Sequence, residues 1–126
     1  MNAVRLSLTR RRQGPKTTII EGDAKVIQVD YSNKESIKSA LAGIDVVNST
    51  ITMSALDVQT RIAEAAKEVG VKLFVPSEFG GISEGSTEGL KGRKAGVHSR
   101  LKALGLPYAL FYTGPFSDFI WEPYAS

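Results

Sequence analysis

Lys94 is the side chain whose surroundings in the sequence best equip it for chemistry. It stands three residues before Val97 and in step with Leu101 and Leu104, so a helix over about residues 91–104 would turn it inward with that apolar stripe. From the amino-terminal end of the stripe it could reach the carboxyl ends of neighbouring strands. A lysine desolvated there can lose or share a proton at moderate pH, the property an acid–base group needs. The same spacing also describes a lysine whose stem covers apolar surface while its ammonium reaches water, and spacing alone favours that account. A second polar group, Ser77-Glu78-Phe79-Gly80, follows the apolar run of Val71, Leu73, Phe74 and Val75, which stops at Pro76. Polar groups at the carboxyl end of a strand lie where open parallel α/β sheets bind ligands.

Other chemistries are poorly supplied. His98 falls off the Val97–Leu101 face and is expected to be exposed. It is the single histidine, there is no cysteine, and no Asp/Glu cluster has ligand spacing, so no metal is expected. A hydrolase built on a Gly-x-Ser-x-Gly elbow is not expected either. The Tyr-x-x-x-Lys pair of conventional short-chain dehydrogenases is missing, because Leu90 lies four residues before Lys94. The net charge of +3 is concentrated at Arg10-Arg11-Arg12 and Lys16. That run lacks the interleaved aromatics that stack bases, which argues against a nucleic-acid partner. No apolar run is long enough for a membrane span, and Met1–Arg12 is too short and too charged for a secretory leader. With no disulfide framework, a cytoplasmic protein is the expectation.

These groups need a scaffold, and the chain supplies one of alternating elements. Val4–Thr9 alternates apolar and polar residues as a strand does, followed by the turn signal Gly14-Pro15. Lys25–Asp30 reads as a second strand. Ser32 and Glu35 have capping-box spacing and open a helix with Ile37 and Leu41, ending at Gly43. Ile44–Val47 is a third strand leading into Asn48-Ser49-Thr50. A helix from Ser54 to Val69 aligns Val58, Ile62, Ala65, Ala66 and Val69 and stops at Gly70. After the Val71–Val75 strand, residues 80–92 hold five glycines and two serines and are expected to form a mobile loop. The Lys94 helix follows, and Tyr108–Tyr112 reads as the last strand. Strands and helices alternating in units of roughly 25–30 residues argue for one α/β domain over residues 1–126, a parallel sheet with helices on both faces.

Read together, LTRR after the first strand, VIQVDYSNKESIKSALAGIDVVNST, VGVKLFVPSEFG, and Lys94 followed by GLPY and TGPF resemble the NmrA-like branch of the atypical short-chain dehydrogenase/reductases. Within it, the chain is similar to isoflavone-reductase-like and phenylcoumaran-benzylic-ether-reductase-like proteins. The resemblance implies a Rossmann-like three-layer fold and NADP(H) as cofactor. It also implies hydride transfer to a small, aromatic substrate, or an NADP-sensing or partner-binding regulator that keeps the fold without the chemistry. On its terms Arg10, with Arg11, would hold the 2′-phosphate, which a planar guanidinium matches; a solvated charged loop is the equal alternative. Asp30 and Tyr31 would lie beside the adenine, although Asp30 is equally well a helix-entry residue. Ser49 and Thr50 would lie near the nicotinamide ribose or pyrophosphate, although turn chemistry explains them as well. Pro76, Ser77 and Phe79 would wall the nicotinamide pocket, with Phe79 serving packing. The resemblance makes Lys94 an acid–base residue, or a donor to the cofactor ribose and substrate, and reverses the balance that spacing alone sets.

Nothing before Val4 supplies the G-x-G-x-x-G turn that such cofactor sites use, and relatives of this type continue well beyond Ser126. The expectation is therefore an incomplete copy of the fold, lacking its central first strand and glycine-rich loop, with weak or no activity. In that case the Val4–Thr9 and Ile44–Val47 strands would pair directly, the chain would be a marginally stable fragment, or Met1 would be an internal methionine.

Overall fold

The computed structural model describes residues 3–6 and 27–115. Its elements are β1 (Ala3–Leu6), α1 (Lys34–Leu41), β2 (Val46–Ser49), a 3-10 turn (Met53–Ala55), α2 (Val58–Glu68), β3 (Leu73–Val75) and α3 (Gly89–Leu104). The three described strands form one parallel sheet in the order β1-β2-β3. β1 lies directly on β2, with Ala3 opposite Val46 and Leu6 opposite Ser49.

Each helix follows from local sequence. Asn33 caps α1, its side chain accepting from the Glu35 and Ser36 amides at 3.0 and 3.3 Å. The expected cap, Ser32, is instead bound into a turn at Asp30, whose Oδ1 accepts from both the amide and the hydroxyl of Ser32. The helical part of the expected Ser54–Val69 segment begins at Val58, after the 3-10 turn. All three described helices stop at left-handed glycines, Gly43, Gly70 and Gly105, with φ of 75°, 82° and 60°, where a side chain would be strained.

The core runs through the whole described unit. Ile37 and Leu41 of α1, Ile62, Ala65 and Ala66 of α2, and Val97 and Leu101 of α3 close over Val47 and Phe74, which face each other across β2 and β3. The helices pack in chain order, α1 against α2 and α2 against α3. Sheet and helices thus share a single apolar interior, a partial Rossmann-like α/β fold. Burying side chains of this size contributes about 1.5–3 kcal/mol each.

Two expected strands differ. Residues 27–30 are not a strand: Ile27 is exposed, and the Asp30 amide is committed to Ser36 Oγ at 3.0 Å. Residues 108–112 make one parallel bridge, between Tyr108 and Phe74, through Phe74 N to Pro107 O (2.8 Å) and Ala109 N to Phe74 O (3.1 Å). The ladder goes no further because β3 ends at Pro76, which has no amide hydrogen to donate.

Candidate functional site

The turn after β3 is built to hold its shape. Pro76 is fully buried. The Ser77 amide donates to Gln59 Oε1 of α2 at 2.8 Å, and its hydroxyl donates to the Ile51 carbonyl after β2 at 2.9 Å. One serine therefore ties three elements together. Phe79 takes a φ of 30°, unusual for a residue with a side chain, and this kink accompanies the inward turn of Glu78.

Glu78 is the hub of the site. It is 2% exposed, and three side chains from two segments converge on it. Ser83 Oγ donates to Oε2 at 2.8 Å, His98 Nε2 lies 2.5 Å from Oε1, and Lys94 Nζ lies 4.0 Å from Oε2. Lys94 Nζ also donates to the Glu78 backbone carbonyl. A buried carboxylate is tolerable only with such a set of donors, since unpaired burial of a charge costs several kcal/mol. Lys94 lies inward as its spacing predicts, its side chain 12% exposed. His98 does not match the expectation of exposure: it is 7% exposed and stacks near-parallel with Tyr108, ring centroids 6.3 Å apart. It lies four residues beyond Lys94, hence on the same helical face, and the buried acid opposite supplies the partner it needs. That i, i+4 relation to Lys94 is the signal that would have found it. Gln59 could be found in the same way, as a polar residue on the face of Ile62, Ala63 and Ala66.

The remaining candidates divide. Pro76, Ser77 and Phe79 adjoin the Lys94 site through Glu78. Ser77 has its amide and hydroxyl engaged within the fold, so its observed work is structural. Asp30 and Tyr31 stand at the entry to α1 rather than beside Lys94. Hydrogen bonds from the Ser32 hydroxyl and amide hold the Asp30 carboxyl below the usual range, and burial pushes the half-buried Tyr31 hydroxyl up. Asp30 thus has the geometry of a helix-entry residue. Ser49 and Thr50 lie at the carboxyl end of β2. Thr50 takes part in the internal bonding of the fold. Arg10 and Arg11 lie outside the described residues. Ser49 Oγ and the adjacent Asn48 Oδ1 are buried with no hydrogen-bond partner among the described residues. Two such orphaned polar atoms at a strand's carboxyl end fit the hydroxyl and amide groups of a nicotinamide nucleotide.

Gly81-Ile82-Ser83-Glu84-Gly85 does have Gly-x-Ser-x-Gly spacing, contrary to expectation. It is no nucleophile elbow: Ser83 is wholly buried, and its hydroxyl is bonded to the carboxylate rather than to the imidazole. The loop expected to be mobile is anchored by this serine and by a tight contact at Gly92, where a Cβ would come within 2.6 Å of the Thr87 carbonyl carbon. Among the described residues no helix is long and apolar enough to cross a membrane, and no three His, Asp or Glu side chains form a metal-binding group.

A parallel α/β sheet with polar groups gathered at its strand ends defines a Rossmann-like class of domain. Within that class the chain belongs to the NmrA-like family, whose model matches residues 6–126. It is 33% identical over 120 residues to the isoflavone reductase homolog IRL of Zea mays, covering 90% of this chain and 36% of that protein. Among solved structures, it matches one from a study of pinoresinol-lariciresinol and phenylcoumaran benzylic ether reductases with a TM-score of 0.69 and 25% identity, over 75% of this chain and 34% of that one. It matches AtPrR2 with NADP+ and (+)-pinoresinol with a TM-score of 0.65 and 25% identity, over 71% and 33%. The chain spans about a third of the length of the curated relatives it matches.

Proposed function

We propose that this chain is the nucleotide-binding part of an NADP-dependent oxidoreductase of the isoflavone-reductase-like type, which transfers hydride to a small aromatic substrate. The observation that carries the reading is Lys94, a nearly buried lysine on α3 whose Nζ rests on the loop at the carboxyl end of β3. NADPH, when bound, supplies the hydride. Ser49 and Asn48 would meet it at the carboxyl end of β2, with Arg10 and Arg11 at its 2′-phosphate, Asp30 and Tyr31 at its adenine end, and Thr50, Pro76, Ser77 and Phe79 along the nicotinamide side. Lys94 gives or accepts the proton at Nζ, and Glu78 holds that nitrogen in place. Relatives named as reductases are about three times as long, so turnover by the 126 residues alone is expected to be weak or absent.

Calorimetric titration with NADPH, and with NADH as comparator, tests the reading. Saturable binding with NADPH preferred is the expected result; equal binding, or none by a cooperatively folded chain, overturns it. In a longer protein carrying this stretch, Lys94→Ala should lower kcat by about 10²–10⁴-fold. A second reading, a regulator that senses NADP or a partner without turnover, is favoured by one feature. The Lys94 ammonium is already satisfied by Glu78, as a purely structural lysine would be. Unchanged turnover in Lys94→Ala would remove the catalytic assignment, and unchanged binding of NADP or a partner without turnover would select the regulator.

A further inference from the structure

On the outer side of the Glu78 hub an open cleft of about 410 Å³ lies between residues 84–87, α3 and Tyr108. That volume is within the range of small-molecule sites. Lys94 does not line it, so a ligand held there is independent of the reductase reading. His98 does line it, and its hydrogen bond within the described residues is through Nε2 to Glu78. A carboxylate can only accept, so Nε2 carries a proton; in a ring with that single proton, Nδ1 is left as an acceptor. The Tyr108 ring, 16° from parallel with the imidazole, extends the same wall. Ser86, Thr87 and Ser99 add hydroxyl groups. The charged lining groups, Glu84 and Lys102, are one of each sign, which gives no preference for an ion. The walls are firmly set: Ser83 links the loop to Glu78, the Ser86 amide closes a turn on the Ser83 carbonyl at 3.1 Å, and Thr87 presses on Gly92.

We propose that this cleft binds a small neutral aromatic compound bearing a hydroxyl group, with its ring along Tyr108 and its O–H donated to Nδ1 of His98. Glu78 is a positioning residue that sets the imidazole tautomer, and His98 supplies the acceptor. The acceptor explains the hydroxyl, the aromatic wall explains the ring, and the balanced lining explains the neutrality.

The chain has one histidine, so the imidazole of the ¹⁵N-labelled protein reports without ambiguity in long-range proton–nitrogen NMR. At neutral pH the spectrum should show Nε2 protonated and Nδ1 bare. Titration with 4-methylphenol should shift Nδ1 saturably, and toluene and cyclohexanol should each bind about tenfold more weakly, the worth of one hydrogen bond or one ring contact. Ser99→Phe fills the cleft from an exposed helix position and leaves the Glu78–His98 pair unchanged in sequence; it should abolish the shift and keep the tautomer. His98→Phe keeps a ring beside Tyr108 and should bind 4-methylphenol no better than toluene by calorimetry. A proton on Nδ1, an averaged mixture of tautomers with no probe-induced shift, toluene binding as tightly as 4-methylphenol, or a shift that survives Ser99→Phe would each overturn the proposal.

Discussion

α2 and α3 are neighbouring helices on one sheet, yet they bury opposite kinds of surface. The inner face of α2 is Ile62, Ala63, Ala65 and Ala66, with one amide, Gln59, at its start. The inner face of α3 holds Val97 and Leu101 but begins with Lys94 and His98. The apolar face asks only for shape and for exclusion of water. The polar one asks for a carboxylate placed to within an ångström, and Glu78 supplies it from a kinked turn twenty residues before His98. Such a cluster costs desolvation energy that an apolar replacement would avoid, which is a reason to read the amino-terminal half of α3 as functional surface rather than packing.

The comparison can be broken first on its apolar side. Phe74 lies under the helices with no exposure, and Phe74→Ala should cost about 3–5 kcal/mol, enough to unfold much of the chain in a urea titration. On the polar side, Glu78→Gln removes the charge that Lys94 faces and should cost about 3 kcal/mol. Adding Lys94→Met should recover part of that loss; if the two changes are simply additive in a denaturant cycle, the hub is not a coupled unit. Gly92→Ala drives a Cβ into the Thr87 backbone, separating α3 from its loop, at about 1–3 kcal/mol and with loss of cooperativity in the melt near Thr87. The smallest effect is in the surface charges. Asp30, held low by the Ser32 hydroxyl and amide, and Glu68, held low chiefly by a hydrogen bond from Lys34, are stabilising when ionised. That contribution is present above their unfolded carboxylate range and is lost as pH falls through their lower folded values. Asp30→Asn should flatten the acid limb of a thermal-stability profile slightly and leave the neutral region unchanged, because the group is exposed.

Local signals were legible where their causes are local. The helix stops at Gly43, Gly70 and Gly105 follow from residues within one turn of each end. Lys94 could be placed inward because helical period relates it to Val97 and Leu101. His98 obeys the same period through Lys94, but its burial depends on an acid in another segment, and without that acid a histidine beside an apolar stripe reads as solvent-facing. Residues 27–30 have the alternation of a strand, yet Ser36 takes the Asp30 amide that a ladder would need. Residues 108–112 have strand composition, yet Pro76 ends the edge they would extend.

The amino-acid sequence by itself determined the alternation of strands and helices, the left-handed glycine stops, the inward face of Lys94 and the resemblance to the NmrA-like family. All of these rest on spacing or motif within some thirty residues. Tertiary structure alone decided that β1 lies against β2, that Glu78 gathers Ser83, Lys94 and His98, that Ser77 serves as a lock, and that a cleft opens beside Tyr108. Strand pairing and the burial of charge are settled by which distant groups can satisfy a backbone edge or a desolvated ion, and chain spacing does not encode that distance.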